Sequence, residues 1–139
     1  MTTAREIMTA GAECVGEEDS VALAARRMGE LGVGALPICG TDGRLKGMLT
    51  DRDIAVRVVG AGLDPNTTRA GELAAGEAIT IGADDPIITT MATMANYRVR
   101  RLPVIDGHRL VGIITQADIA RSELPDQMVG ELVAALSID

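Results

Sequence analysis

Aromatic side chains are almost missing from this 139-residue chain. It has no Phe, no Trp and a single Tyr, although 47% of its residues are apolar. Stacking the bases of single-stranded nucleic acid needs aromatic faces, so that class of binding is excluded. Histidine occurs once and cysteine twice, too few for a zinc site built on paired Cys-x-x-Cys motifs. Positive charge is short as well: Lys and Arg number 13 against 20 Asp and Glu, a net charge of −7. Such a chain repels phosphate backbones, and no nucleic-acid polymer is expected as a partner. No apolar run approaches the roughly 18 residues of a membrane span. Met1-Thr2-Thr3-Ala4-Arg5-Glu6 lacks the apolar stretch of a secretory signal, so a cytoplasmic location without membrane association is expected. What is present is a small acidic chain whose core must be built from Ala, Val, Ile, Leu and Met.

The chain is an internal repeat. Val15-Gly16-Glu17-Glu18-Asp19-Ser20-Val21 corresponds to Ile81-Gly82-Ala83-Asp84-Asp85-Pro86-Ile87, Met28 to Met94, and Ala35-Leu36-Pro37-Ile38 to Arg101-Leu102-Pro103-Val104, all 66 residues apart. After a one-residue deletion the offset is 65. Arg44-Leu45-Lys46-Gly47-Met48-Leu49-Thr50 then corresponds to Arg109-Leu110-Val111-Gly112-Ile113-Ile114-Thr115, and Asp53-Ile54-Ala55 to Asp118-Ile119-Ala120. Each copy reads as the same elements. A short strand (13–16; 78–81) precedes a helix that Asp19 or Asp85 caps, with Pro86 at its first position. Val21, Ala25, Met28 and Leu31, and Ile87, Met91 and Met94, form the apolar faces. A hairpin follows, with arms 35–39 and 45–49 about Asp42-Gly43, and 101–105 and 110–114 about Asp106-Gly107. Pro37 and Pro103 imply edge or irregular positions in the first arms. A second helix starts at Thr50 or Thr115.

The fold class is therefore α/β, two β-α-β-β-α copies of about 50 residues, each too thin to stand alone, so that pairing must bury both sheets. A capping box at Thr3-Ala4-Arg5-Glu6 starts a short N-terminal helix, and Met128, Val129, Leu132, Val133 and Leu136 share one face of a C-terminal helix. The boundaries expected are 1–62 for the first domain with its N-terminal helix, 63–69 for the linker, 70–122 for the second domain and 123–139 for the tail.

These residues carry a family resemblance. Ala35-Leu36-Pro37-Ile38 with Leu45-x-Gly47-Met48-Leu49-Thr50-x-x-Asp53-Ile54, and their counterparts from Arg101 to Ile119, resemble cystathionine-β-synthase (CBS) domains. Over residues 4–122 the whole resembles a tandem CBS pair, or Bateman module, in its stand-alone actinobacterial form. The resemblance implies two CBS domains related by a pseudo-twofold axis and a regulatory role rather than an enzymatic one. It also implies a homodimer forming a disc of four CBS domains, and an unknown protein partner regulated in trans. Many members bind an adenosine-containing ligand, so AMP, ATP or S-adenosylmethionine are the candidate ligands, with no cofactor required.

The candidate ligand residues are Thr50, Asp53, Thr115 and Asp118, which the family places at ribose and phosphate; the same [ST]-x-x-[DE] spacing is a capping box needed for folding alone. Arg100 and Arg101 stand where copy one has Gly34 and Ala35, and mark copy two as the better site for an anion, or else they are solvated charges. Pro103 and Val104 are candidate walls for adenine, or simply core. Cys14 and Cys39 fall on strands that run side by side in this fold, so they either form a bridge or stay as two reduced thiols. His108, at the tip of the second hairpin, is either exposed or a ligand of a metal shared with another subunit. Met48, Met91 and Met94 read as core filling. No nucleophile, base and orienting group fall together, so no catalytic residue and no metal site within the chain is expected. The alternative function is a dimeric structural or interaction protein that binds no nucleotide and is stabilised by packing and a Cys14–Cys39 disulfide.

Overall fold

A computed structural model describes residues 2–11, 13–74, 78–122 and 126–136. The N-terminal segment forms α1 (Ala4–Ile7) and β1 (Thr9–Ala10). Copy one supplies β2 (Val15–Gly16), α2 (Val21–Leu31), β3 (Ala35–Cys39), β4 (Leu45–Thr50) and α3 (Asp51–Asp53). The last continues directly into a π-helical turn, Ile54–Val59. A 3-10 turn, Ala70–Leu73, leads to copy two: β5 (Ile81–Gly82), α4 (Ile87–Tyr97), β6 (Arg101–Asp106), β7 (Arg109–Thr115) and α5 (Gln116–Ala120). Helix α6 (Asp126–Leu136) follows.

The chain divides into two compact units, and the division crosses the repeat. Glu13–Ala78 form one unit; Met1–Ala12 join Ile79–Asp139 in the other. The N-terminal helix, grouped by sequence order with 1–62, thus packs with copy two. The reason is a set of backbone hydrogen bonds. Ala4 and Arg5 N–H donate to the carbonyls of Asp85 and Ala83, and Ile87 N–H donates to Thr2. The other unit repeats the pattern: Ala70 and Gly71 N–H donate to Asp19 and Glu17, and Val21 N–H to Thr68. Each copy's leading segment is docked on the strand–helix corner of the other copy. These carbonyls satisfy the Ala4 and Arg5 N–H groups, and Glu6 N–H donates to the Thr3 carbonyl, so Thr3 makes no side-chain cap and the expected box does not form.

In the copy-one unit the sheet order is β2-β3-β4, parallel then antiparallel. The copy-two unit has β1-β7-β6-β5, with β1 added antiparallel to β7 and β5 parallel to β6. By strand order Pro37 and Pro103 lie on central strands, not on edges. The short flanking strands reconcile this with the missing N–H, since β2 pairs only with Ile38–Cys39 and β5 only with Val104–Ile105. Each proline precedes that pairing and is locally unflanked. Both hairpins turn through a glycine at positive φ, Gly43 at 78° and Gly107 at 66°.

Capping differs in detail from expectation. The Asp19 and Asp85 carboxylates accept from Gly16 and Gly82 N–H, Ser20 caps α2, and Pro86 occupies the cap position of α4 rather than its first turn. The buried face of α2 is Val21, Ala24 and Met28; Ala25 and Leu31 are exposed. In α4, Ile87, Met91 and Met94 are buried as expected, whereas Met48 on β4 is only half-buried. Leu132 and Leu136 of α6 enter the core of the copy-two unit beside Met91 and Met94.

One polar atom sits badly in that core. The Thr90 hydroxyl is fully buried on α4 and has no hydrogen-bond partner among the described residues; copy one has Ala24 there. Thr90→Val keeps the volume and removes the orphaned hydroxyl. It is expected to stabilise the protein by about 1 kcal/mol, raising the thermal midpoint by a few degrees, and a lowered midpoint in calorimetry would contradict the orphan assignment.

Candidate functional site

The two hairpins deliver the same constellation twice. Thr50 ends β4 and Thr115 ends β7, and each opens the next helix. The Thr50 hydroxyl accepts from Asp53 N–H and the Asp53 Oδ2 accepts from Thr50 N–H, both at 3.0 Å. Thr115 and Asp118 make the same pair of bonds at the same distances. Each is a complete capping box, formed because a Thr in extended conformation precedes a helix whose third residue is acidic. Capping therefore occupies one oxygen of each carboxylate.

The other oxygens differ. Asp118 Oδ1 accepts from the Arg121 guanidinium at 2.7 Å and from the Thr9 hydroxyl at 3.4 Å, and its side chain is 8% exposed. Asp53 Oδ1 lies 4.0 Å from Arg57, whose guanidinium instead donates to the Leu73 carbonyl at 2.9 Å. The Asp53 side chain is 29% exposed. Sequence reasoning passed over Thr9 and Arg121. The i, i+3 spacing of Asp118 and Arg121 on one helix is a readable signal. Thr9 gives none, because it lies 109 positions away and arrives only through β1.

The remaining candidates fall into place individually. Arg101 begins β6 directly opposite Thr115, with its side chain exposed. Arg100 is turned to the end of α6, donating to the Leu136 carbonyl at 3.4 Å. Val104 belongs to the core of the copy-two unit, which suits the packing reading better than a ligand wall, and Pro103 beside it is fully buried. His108 is exposed in the second hairpin turn.

Cys14 and Cys39 are both free thiols. Burial pushes the Cys39 thiol up to about 12, and a hydrogen bond with the Cys14 side chain adds to the shift. The two sulfurs are thus neighbours, one before β2 and one at the end of β3. Arg27 donates to the Cys14 carbonyl at 2.8 Å and holds that segment.

Against known proteins, the CBS-domain family model matches residues 4–60 and 70–124. Hypoxic response protein 1 of Mycobacterium tuberculosis is 53% identical over 98% of this chain and 94% of its own length. CBS domain-containing protein YhcV of Bacillus subtilis is 32% identical over 99% and 96%. Among solved structures, hypoxic response protein I with two coordinated zinc ions superposes with a TM-score of 0.82 at 55% identity, covering 89% of this chain and all of that one. The CBS-domain pair of MJ0100, in complex with 5′-methylthioadenosine and S-adenosyl-L-methionine, gives 0.72 at 28% identity, covering 87% and 94%.

The two carboxylates should differ in their structural weight. Removing a cap costs about 1 kcal/mol, and at Asp118 the loss also removes the bonds from Arg121 and Thr9, whose side chains are exposed and turn to water, adding ~0.2–1 kcal/mol. Asp118→Ala is thus expected to destabilise more than Asp53→Ala in chemical denaturation; equal losses would mean that Thr9 and Arg121 contribute nothing. For the thiols, the folded protein under reductant is expected to keep Cys39 unalkylated by iodoacetamide at pH 8, with modification following unfolding. Stability is present below pH 9 and falls between pH 9 and about 12, because there the unfolded thiol loses its proton while the folded one keeps it. Denaturation midpoints that stay flat across that window, compared with Cys39→Ala, would contradict the buried-thiol assignment.

Proposed function

The chain belongs to the CBS-domain family, and on that premise we propose that it is a regulatory module that senses an adenosine-containing ligand. AMP, ATP or S-adenosylmethionine is the ligand class, and the homodimer is the working form. The signal passes in trans to a protein partner, in a stress or hypoxic setting suggested by the 53% identical relative. Ligand binding would shift the population of conformers shown to that partner. The observation that carries the reading is the pair of Thr-x-x-Asp boxes, in which capping uses one oxygen of each carboxylate; the second lies 4.0 Å from Arg57 at Asp53 and accepts from Arg121 and Thr9 at Asp118. A carboxylate is the group that recognises ribose hydroxyls in nucleotide sites generally. The adenosyl ligands of the MJ0100 pair support the same class. Thr50, Thr115 and Arg101 are the proposed phosphate-side contacts, with Arg100 a weaker candidate because α6 engages it. Pro103 and Val104 support the strand from within the core.

The 55% identical structure holds two coordinated zinc ions. Among the described residues no three His, Cys, Asp or Glu side chains gather as ligands, and His108 is the chain's one histidine.

A second reading is supported by the Cys14–Cys39 contact: a dimeric interaction protein stiffened by a disulfide and binding no nucleotide. Isothermal titration with AMP, ATP and S-adenosylmethionine separates the two. Saturable binding of at least one is expected, and no heat from any of the three at millimolar concentration would overturn the sensing reading. Mass measurement after alkylation, with and without reductant, reports the bridge independently.

A further inference from the structure

One bond ties the basic stretch of copy two to the last helix of the chain. Arg100 donates to the Leu136 carbonyl at 3.4 Å, so the guanidinium that stands just before β6 is also an anchor of α6. We propose that α6 is a ligand-controlled latch: the phosphate of an anionic adenosine ligand and the docked helix compete for Arg100, and binding of the ligand releases the end of α6; this rests on the sensing reading above. A guanidinium offered a neutral carbonyl or a phosphate makes the stronger bond with the phosphate, because both partners then carry charge. The bond to Leu136 is long and Arg100 is exposed, so giving it up costs little. The Arg98 and Arg101 side chains meet no acceptor among the described residues, and they add positive charge on either side of Arg100.

The seating of α6 is light enough for such a release. Leu132 and Leu136 are the α6 residues that enter the buried core. Between α4 and α6 lies an open cavity of about 270 Å³, walled by Ile88, Met91 and Ala95 on one side and by Met128 and Leu132 on the other. An element with few buried contacts opens at low cost. The repeat supplies the internal control. In copy one the residues after the second helix, 60–69, form turns rather than a helix, and the residue corresponding to Arg100 is Gly34. An Asp51 carboxylate oxygen lies 3.1 Å from the place a Cβ would take at Gly34, so that position carries negative charge instead. Arginine and helix thus occur together in copy two, and copy one has neither. Release of α6 uncovers the α4 face at Ile88, Met91 and Ala95 and so changes the surface that the chain presents. Coupling of this kind is reciprocal: whatever loosens α6 tightens the ligand by the corresponding factor.

The test is hydrogen exchange of the α6 amides in the full chain, read by mass spectrometry with and without saturating AMP, beside isothermal titration. AMP is expected to raise α6 exchange by about threefold or more, the factor that loss of one hydrogen bond carries. Adenosine, which lacks the phosphate, leaves it unchanged. Arg100→Ala is expected to show the raised exchange without ligand and no further response to AMP. Ala134→Gly lies on the exposed side of α6 and weakens the helix without touching the core. It is expected to raise α6 exchange by about fivefold and to tighten AMP by up to the same factor, with adenosine affinity unchanged. AMP binding with α6 exchange unchanged or slowed, an equal response to adenosine, or weaker AMP binding in Ala134→Gly overturns the proposal while leaving the sensing reading intact. Binding of S-adenosylmethionine alone does the same. No binding of AMP, adenosine or S-adenosylmethionine to wild type overturns the sensing reading, and the proposal with it.

Discussion

Everything in this structure depends on the backbone hydrogen bonds by which each copy's leading segment docks on the other copy. Three bonds recur with the repeat: Ala4 to Asp85, Arg5 to Ala83 and Ile87 to Thr2 in one unit, Ala70 to Asp19, Gly71 to Glu17 and Val21 to Thr68 in the other. They satisfy helix-end donors that no side chain caps, and they bring Ala4 and Ala70 to full burial in their respective cores. They also constrain the hairpins. A side chain at Gly112 would place its Cβ 2.7 Å from the Thr9 carbonyl, and one at Gly47 would lie 3.0 Å from the Ala74 Cβ. The Leu-x-Gly of each copy therefore reads as clearance for the incoming segment. A copy cut out at its sequence boundaries would lose the segment that completes its own unit.

Against this shared frame the departures from symmetry stand out. Arg98 holds a left-handed conformation (φ 53°) where copy one closes its helix with Gly32 (φ 67°). That substitution works against the usual preference of the position. Thr90 replaces Ala24 and leaves a hydroxyl unmatched. Cys39 faces Cys14 where copy two has Ile105, so the thiol pair belongs to copy one alone. None of these changes touches the docking bonds. The frame is made of main chain, and it tolerates side-chain divergence that would be costly in a single interleaved core.

Much of the fold was legible because its signals are local. The hairpins show it best: the arm 35–39 and the Asp-Gly turns agree with the structure, since alternating β-branched and aliphatic residues around a turn former leave little choice. The capping boxes at Thr50 and Thr115 were equally readable. Thr3 opens a similar Thr-x-x-Glu and forms none: Asp85 and Ala83, some eighty residues away, take the Ala4 and Arg5 N–H groups, and Glu6 N–H donates to the Thr3 carbonyl. The grouping of α1 with copy two, the position of Pro37 and Pro103 on nominally central strands, and the Thr9 contact all arise from pairings between distant segments. Periodicity within a window cannot register them. The face of α2 was read one position off, at Ala25 instead of Ala24, for a related reason: in a chain of small aliphatics, neighbouring alanines carry the same weight until a partner surface selects one.

The Thr-x-x-Asp motif closes each helix with part of its chemistry to spare. Closing the cap requires one oxygen of the aspartate and the threonine hydroxyl as acceptor, and both copies meet that requirement with bonds of 3.0 Å. The second oxygen carries no obligation to the fold. It can lie 4.0 Å from a guanidinium, as at Asp53, or accept hydrogen bonds from nearby donors, as at Asp118, and the helix begins correctly either way. A duplicated motif whose structural duty consumes only part of its chemistry is free to diverge in the rest. The repeat can thus remain plain to read in sequence while its two copies become chemically unequal. That inequality is set by residues outside the motif, by one helical turn at Arg121 and by a swapped strand at Thr9.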